Sequence, residues 1–436
     1  MESGIRKRWQ NYKETALPAI PPLFANSIFL MANSAAGAAL GFAFWVLAAR
    51  LYPAEAVGLG SAILSAAGLL SFIATLGLGQ GLIRYLPGIK SSSTALINSC
   101  FTLSSLASLV AALIFLAGIS LWSPALSFLR DDLRFSVTFV AFVISGTIFS
   151  LLSDTYLALR RAEYSLIQGS LMGLFKLALV IALAGLFGIF GILASWMLAT
   201  AAVVLLGVFL FLTRLQPDYR PVPSLRRQVS NEMVHFSFTN YISLGLWSTP
   251  GWVLPLIVVN RLGSQANAHF FVAWAMSGLL FAIPTSISNS LFAEGSRQDT
   301  NLSRDIKRSL KLITVLGLPA AALLMVAGDK LLLVFGQQYS QEGTKLLWLL
   351  SPSVLPLSLN VLYLAVARVR KRLGEVVAVT SAIAVSTLVF SYILLPRLGI
   401  LAPGAGWLAG QSLVALAILP QFVKILRTKT TASGDH

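Results

Sequence analysis

The chain has few residues that could bind a metal or form a disulfide. It contains one cysteine, Cys100, and three histidines, His235, His269 and His436, in 436 residues. A single cysteine excludes an intramolecular disulfide and a cysteine-cluster metal site. Three scattered histidines do not match the spacing of a histidine-based metal site. We therefore expect no metal and no cofactor.

Sequence motifs of nucleotide-binding and catalytic proteins are also missing. No G-x-x-x-x-G-K-[ST] stretch occurs, so we do not expect the chain by itself to hydrolyse ATP. A dinucleotide-binding loop follows a β-strand. The glycine-rich stretch 77–81 instead lies inside an apolar run, with no predicted strand before it. These absences favour a protein that is not an enzyme.

Charged residues are scarce, at 11%, whereas 56% of residues are hydrophobic and the mean hydropathy is +0.80. A helix needs about 20 apolar residues to cross a bilayer, and the long apolar runs of this chain lack the alternation of barrel strands. They predict an all-α integral membrane protein with about twelve transmembrane helices. The expected spans are 24–48, 57–82, 95–121, 135–158, 167–188, 191–213, 234–259, 267–293, 309–328, 346–367, 375–395 and 402–425.

The net charge of +16 is not spread evenly along the chain. Of the 32 Lys and Arg residues, 24 lie in one alternating set of gaps between the spans, and seven lie in the other. The positive-inside rule then predicts that both termini are cytoplasmic and that the protein is a multi-pass protein of the inner membrane. This distribution also argues against nucleic acid as a partner. Residues 1–23 are expected to form a basic cytoplasmic or interfacial segment.

The second half of the sequence resembles the first. Arg50-Leu51 and Arg261-Leu262 close corresponding spans at an offset of 211 residues, and YLALRR at 156–161 matches YLAVAR at 363–368 at an offset of 207. Six spans separate the copies, so the two six-helix lobes are predicted to share one orientation, as a parallel repeat. The expected lobes are 24–213 and 234–425, joined by a linker at 214–233 and followed by a tail at 426–436.

Proline and glycine point to a hinge and to close helix packing. Pro250, Gly251 and Pro255 interrupt span 7, which makes it the best hinge candidate, although a static kink is the alternative. Gly37 and Gly41 form a G-x-x-x-G step in span 1 that favours packing against another helix.

Two ionisable residues lie within predicted spans and are candidates for function. Lys176 is about nine residues into span 5, too deep to reach the interface easily. Asp154 lies on the antiparallel neighbour, six residues before Arg160. The two could form a structural ion pair, or Lys176 could bind substrate or take part in proton coupling.

Two further pairs of charged residues are related by the repeat. Arg50 and Arg261 would present two cations suited to a phosphate or pyrophosphate if both face a central cleft, and the alternative is snorkelling to the interface. Arg84 and Glu294, at an offset of 210, are predicted to form a gate between the lobes at their cytoplasmic ends. Their alternatives are an interfacial arginine and a local pair of Glu294 with Arg297.

Short stretches throughout residues 24–425 resemble the oligosaccharide flippases of the polysaccharide transporter family. This family belongs to the multidrug/oligosaccharidyl-lipid/polysaccharide exporter superfamily. The resemblance rests on LAARL at 47–51, EAVG at 55–58, FTNY at 238–241, LPL at 254–256, SLFAEGS at 290–296 and LVFGQQY at 333–339.

The resemblance implies a V-shaped flippase that moves polyprenyl-pyrophosphate-linked sugars outward by alternating access in polysaccharide biosynthesis. Related peptidoglycan-precursor flippases line their cavity with arginines, a role that Arg50 and Arg261 would match here. Those flippases usually have two additional helices, which this sequence lacks. The implied partners are membrane lipid, lipid-linked oligosaccharide, and a polysaccharide polymerase or glycosyltransferases. Coupling to H⁺ or Na⁺ stays open.

Three alternatives differ in class. A multidrug or cation antiporter would share the fold but would need acidic residues, and spans 1, 2 and 7 contain no Asp or Glu. A major-facilitator sugar carrier would have an Asp-containing motif after span 2, where the chain reads RYLPGIK at 84–90. A non-transporting scaffold for polysaccharide synthesis is the third.

Overall fold

A computed structural model describes residues 22–89, 93–224, 231–295 and 302–427, and within these ranges the chain is helical and has no strand. The first half contains α1 (Pro22–Leu51), α2 (Ala54–Ala74), α3 (Leu78–Tyr85), α4 (Ser93–Ala117), α5 (Leu133–Ala158) and α6 (Ala162–Leu206). The second half contains α7 (Asn231–Leu262), α8 (Ser264–Gly295), α9 (Leu302–Leu332), α10 (Gln337–Leu350), α11 (Val354–Val369), α12 (Leu373–Leu398) and α13 (Ala402–Arg427).

Eleven stretches of the described chain are long and apolar enough to cross a membrane. One of them, Leu373–Leu426, comprises both α12 and α13, which meet at a turn at Gly399. The stretches therefore provide twelve crossings, and the all-helical multi-pass fold predicted from the sequence is confirmed. Most of the expected segment 1–23, part of the linker and the residues after Arg427 lie outside the described ranges.

Two predicted spans differ from the structure in continuity. The span expected at 57–82 is divided into α2 and α3 by a turn in which Leu76 and Gly77 have φ of 52° and 72°. The span expected at 346–367 begins earlier, at Gln337, and is interrupted by a tight turn at Ser351–Ser353. The sequence does not predict the first part of this span, because Glu342 and Lys345 interrupt the apolar run there.

The helices form two lobes that repeat the same packing. In the first lobe α1 packs on α6, and in the second the corresponding α7 packs on α12. The turns repeat too: Arg160 and Lys371 both have φ of 57°, and Gly188 and Gly399 have φ, ψ of 49°, −128° and 53°, −129°. Both pairs are 211 residues apart, the same offset as Arg50 and Arg261.

The offset of 207 that was expected for the second sequence match is wrong by about one helical turn. Arg161 N–H donates to the carbonyl of Tyr156, and Arg372 N–H donates to the carbonyl of Ala367. Tyr156 is therefore equivalent to Ala367 and not to Tyr363. The error arose because Leu and Ala recur at every turn of these helices, so a sequence match can slip by four residues.

The lobes meet mainly where α2 contacts α7 and α8. We call the end of the bundle that carries Arg84, Arg160, Arg214 and Lys371 the basic end. The opposite end, which carries Arg50 and Arg261, is called the distal end.

Candidate functional site

Arg50 joins the two lobes at the distal end. It lies in the last turn of α1, and its Nε and Nη2 donate to the carbonyl oxygens of Val334 and Leu333, at 2.8 and 2.6 Å. Both carbonyls belong to the turn that follows α9, in the second lobe. A guanidinium group has donors in a planar fork, so it can bind two carbonyls at once. Arg50 is thus part of a seal between the lobes.

Further contacts reinforce this distal seal. Asn267 of α8 donates to the carbonyl of Gly58 and to Ser61 Oγ of α2, at 2.7 and 3.0 Å. The backbone at Gly58 lies so close to Ser264 that an added Cβ would be 1.8 Å from the Ser264 carbonyl oxygen. Glycine at this position is therefore required for the two helices to approach.

Aromatic rings extend the seal toward the membrane centre. Phe42 of α1 meets Phe335 edge to face with ring centroids 5.3 Å apart, and the Trp45 and Phe271 rings are 4.5 Å apart. Because Phe42 is eight residues before Arg50, the seal is about 12 Å deep at 1.5 Å per residue.

Arg261, the repeat counterpart of Arg50, has a partner in its own lobe. Its guanidinium donates to the hydroxyl of Tyr392 on α12 and lies 5.1 Å from the centroid of that ring. The residue equivalent to Tyr392 in the first lobe is Ile181, which cannot accept a hydrogen bond. This difference explains why Arg50 contacts the other lobe, and the two arginines do not form a common phosphate clamp in this conformation.

The lobes also remain in contact along α2 and α7. Trp252 packs against Gly68 and lies 5.2 Å from the ring of Phe72, which in turn stacks on Tyr241 at 4.5 Å. The Tyr241 hydroxyl is 2.9 Å from the carbonyl oxygens of Phe72 and Ile73, near the break between α2 and α3. This side of the interface is therefore filled by large aromatic side chains.

The equivalent position in the first lobe lies on α1. Trp252 of α7 corresponds to Gly41 of α1 at the offset of 211, and a Cβ added at Gly41 or Gly37 would meet no atom within 4 Å. Met31, nearer the basic end, is 71% exposed. The two lobes thus differ in packing at this equivalent position, because α7 has Trp252 where α1 has Gly41.

The packing role expected for Gly37 and Gly41 is therefore wrong. The first lobe uses Gly169 and Gly173 of α6 instead, where added Cβ atoms would meet Asn33 and Leu40 of α1 at 2.3 and 2.5 Å.

Lys176 is buried inside the first lobe, with 5% of its surface exposed. Its Nζ lies 4.2 Å from the ring centroid of Trp196 and 5.4 Å from that of Phe44. Electron-rich aromatic faces attract a cation more strongly where water is excluded. The repeat counterparts in the second lobe are Thr387 and Trp407, so the tryptophan is repeated and the charge is not.

Asp154 does not pair with Lys176. Its Oδ2 lies against Gly79, where an added Cβ would be only 1.9 Å away. Gly79 is in the first turn of α3, so the carboxylate is near the positive end of that helix dipole. Asp154 is four residues from the basic end of α5, whereas Lys176 lies fourteen residues into α6, so the two differ in depth along the bundle.

Arg84 and Glu294 are both exposed, and the Arg84 guanidinium lies 5.6 Å from the ring centroid of Tyr85. Ion pairs between described residues join Arg130 to Asp131, Arg134 to Asp132, Arg161 to Glu163 and Arg372 to Glu375, so none joins Arg84 to Glu294. Because their contact is expected only when the distal end opens, the gate stays a prediction.

The hinge residues lie in a continuous helix. Helix α7 includes Pro250 and Pro255 without a break, and an added Cβ on Gly251 would meet no atom within 4 Å. Pro250 and Gly251 line a cavity of about 280 Å³ that sequence reasoning missed, together with Trp247, Trp274, Phe281 and Trp407. In the sequence, only the three tryptophans hint at this cavity. They lie on three different helices, α7, α8 and α13, so their proximity cannot be read from the sequence. The hinge itself stays a prediction.

Comparison with known proteins identifies a family and a fold that the chain shares. A family model described as "Polysaccharide biosynthesis protein" matches residues 46–342. No curated protein matches the sequence.

Several solved structures share the fold. The lipid II flippase MurJ in an inward closed conformation matches with a TM-score of 0.77 and 11% identity, covering 92% of this chain and 90% of MurJ. An inward-facing multidrug resistance MATE transporter of the MOP superfamily matches with a TM-score of 0.66 and 15% identity, covering 90% and 96%. An outward-facing MATE transporter matches with a TM-score of 0.60 and 16% identity, covering 94% and 97%.

Proposed function

Because the chain belongs to the polysaccharide biosynthesis protein family, we propose that it is a flippase for polyprenyl-(pyro)phosphate-linked oligosaccharide. It would move this lipid-linked sugar from the cytoplasmic to the outer leaflet of the inner membrane by alternating access. The basic end would face the cytoplasm, in accordance with the positive-inside rule, and both termini would then be cytoplasmic.

The observation that carries this proposal is the empty space beside Gly37 and Gly41 of α1, which we interpret as a one-sided opening between α1 and α8. The distal end is sealed and α2 packs on α7, so a ligand enters from the basic end and from the side. A lateral opening bordered by Gly37 and Gly41 lets a polar head group enter the cleft while the polyprenyl chain stays in lipid. A soluble substrate would not need this opening.

Arg50 is proposed to couple substrate binding to opening of the distal seal. Its guanidinium is held by two neutral carbonyl oxygens in this conformation. A phosphate carries a full negative charge and can accept two parallel hydrogen bonds from a guanidinium, so it attracts the cation more strongly than a neutral carbonyl does. A phosphate that reaches the distal part of the cleft would therefore compete for Arg50, release the carbonyls of Leu333 and Val334, and favour the open state. Arg261 would join it after leaving Tyr392.

The experiment is translocation of a lipid-linked oligosaccharide in proteoliposomes, measured by access of an added glycosidase. We expect Arg50→Gln/Arg261→Gln to abolish translocation with normal membrane insertion. Arg134→Gln, which removes an exposed charge at the same end, serves as the control. Wild-type rates in the double variant would reject the role of the arginines.

The likeness of the fold to MATE transporters favours a second candidate, a multidrug or cation antiporter. In that case the proteoliposomes would take up a fluorescent cationic drug under an imposed H⁺ or Na⁺ gradient. Such uptake without any oligosaccharide translocation would replace the flippase assignment.

A further inference from the structure

The second lobe has a polar cavity at the basic end, away from the interface between the lobes. Its volume is about 350 Å³, and it lies between the end of α11, the turn that follows it, and the last turns of α13. The lining residues are Tyr363, Val366, Ala367, Arg370, Arg372, Glu375, Gln421, Lys424 and Ile425. A volume of this size is in the range of small-molecule sites.

The buried side of the cavity is organised by a hydrogen-bond network. Tyr363 is 4% exposed, and its hydroxyl lies 3.0 Å from Glu375 Oε2 and 2.5 Å from Gln421 Oε1. The other carboxylate oxygen of Glu375 accepts from Arg372 Nη1 at 3.1 Å. Both oxygens of Glu375 are thus engaged, which holds Arg372 at the edge of the cavity.

Positive charge exceeds negative charge in this lining. Among the lining residues that the structure describes, Glu375 is acidic and pairs with Arg372, while Arg370, Arg372 and Lys424 are basic. The cavity is therefore suited to an anion with several acceptor oxygens, such as a phosphate group.

The first lobe shows that the fold and membrane topology do not require this chemistry. At the offset of 211, Arg370 corresponds to Leu159, and Glu375 corresponds to Tyr164. The Tyr164 ring packs against Tyr156 and Phe211, with centroids 5.8 and 5.5 Å apart, so the position of the Glu375 carboxylate is taken by an aromatic ring in the first lobe. The membrane topology requires positive charge at this end, and Arg160 and Lys371 at the equivalent turns already supply it in both lobes. The additional charge at Arg370 is therefore not explained by topology.

We propose that this cavity binds the phosphodiester head group of an anionic phospholipid of the inner leaflet. Basic pockets between transmembrane helices at the cytoplasmic face are recognised sites for such head groups. Tyr363 and Gln421 orient the site, while Arg370, Arg372 and Lys424 bind the phosphate oxygens. Only its assignment to the inner leaflet rests on the proposed orientation of the chain; binding itself does not depend on the proposed transport function.

The test uses the delipidated full chain in a neutral detergent. Binding of phosphatidylglycerol is measured by native mass spectrometry, with thermal unfolding as a second readout. Phosphatidylcholine and inorganic phosphate are the other two ligands. We expect phosphatidylglycerol to bind and raise Tm, and the zwitterionic lipid and inorganic phosphate to have little effect at the same concentration.

Two variants with equal loss of charge separate this site from general attraction to anionic lipid. Arg370→Gln/Lys424→Gln should weaken phosphatidylglycerol binding by about tenfold or more, since each basic residue near an anionic surface contributes appreciably. Arg160→Gln/Arg214→Gln removes two cations from the basic end of the first lobe and should change binding less than about twofold. Tyr363→Phe keeps the ring, removes the hydroxyl and should give an intermediate loss.

Each other result overturns the proposal. Equal losses in the two double variants would mean that the attraction is nonspecific. Unchanged binding in Arg370→Gln/Lys424→Gln would place the lipid elsewhere. Stabilisation by inorganic phosphate without binding of phosphatidylglycerol would identify a soluble phosphate as the ligand and reject the lipid. Each of these outcomes can occur whether or not the protein translocates oligosaccharide.

Discussion

The two lobes share a backbone and differ in the side chains at equivalent positions of their interface. At one offset of 211 residues, their turns have nearly the same φ and ψ at Gly188 and Gly399. At that same offset, a Cβ added at Gly41 would meet no atom within 4 Å, whereas Trp252 fills an interface between the lobes. Duplication therefore set the scaffold, and single substitutions between equivalent positions made its two sides different.

The same contrast is found deeper in the lobes and at their ends. Lys176 lies on Trp196 in the first lobe, whereas Thr387 takes its place beside Trp407 in the second. At the basic end, aromatic rings close the first lobe, and a polar cavity opens in the second.

The largest expected effect comes from making the two sides of the interface alike. Gly41→Trp would give α1 the side chain that α7 has at the equivalent position, and it should obstruct the opening toward α8. Because the bulky ring leaves no room for a head group to pass, we expect oligosaccharide translocation in proteoliposomes to fall by about tenfold or more.

A control is available on a surface away from the interface. Ile114→Trp adds a similar ring to α4, where Ile114 is 58% exposed, and should leave translocation near the wild-type rate. If the correctly inserted Gly41→Trp protein translocated oligosaccharide at the wild-type rate, the proposal that the head group enters between α1 and α8 would be wrong.

A second comparison concerns the buried cation. Trp196→Ala and Trp407→Ala each leave a cavity that costs about 3–5 kcal/mol in the free energy of unfolding. Trp196→Ala also removes the aromatic face beside Lys176, so it should cost about 2 kcal/mol more than Trp407→Ala. Denaturant titration of the purified variants measures the difference.

Lys176→Met provides the matched control, because it keeps an unbranched side chain and removes the charge. In that background the two tryptophan substitutions should become equally costly, and Lys176→Met alone should be neutral or stabilising if the lysine has only a structural role. An excess cost of Trp196→Ala that persists without the lysine charge would show that packing alone explains it.

The smallest effect is expected at the basic end, from Arg84 and Glu294. A partly exposed ion pair contributes about 0–1 kcal/mol, enough to bias the conformation without locking it. Arg84→Cys/Glu294→Cys in a Cys100→Ser background should crosslink preferentially when the distal end is open. Crosslinking that does not change between the two states, or that fails with spacers of every length, would leave both residues with local roles.

Much of the fold could be predicted from the sequence because it depends on local composition. The number of crossings follows from apolar length, and the repeat follows from matches such as that of Arg50 with Arg261. Predictions that required a partner were less successful. The sequence allows an ion pair of Asp154 with Lys176, but the Asp154 carboxylate contacts Gly79. The second sequence match predicts a register that differs from the structural one by about one turn.

The roles of the small residues show why this happened. Gly37 and Gly41 have the same spacing as Gly169 and Gly173, and only the second pair packs against another helix. A spacing indicates which residues share a helix face, and it carries no information about what lies opposite that face. The tryptophan cavity and the polar cavity were missed for the same reason, since each combines residues from several helices.

The sequence by itself determined that the chain is helical, spans a membrane many times, is internally duplicated and carries most of its positive charge in alternate loops. These properties arise from bilayer thickness, from backbone hydrogen bonding in lipid and from the cost of moving charge across it, all of which act on local stretches of chain. Only the tertiary structure decided that Arg50 seals the distal end and that the space beside Gly41 is empty where Trp252, at the equivalent position, packs against the other lobe. Those features depend on contacts between helices distant in sequence, where one side chain, tryptophan or glycine, determines whether two surfaces meet.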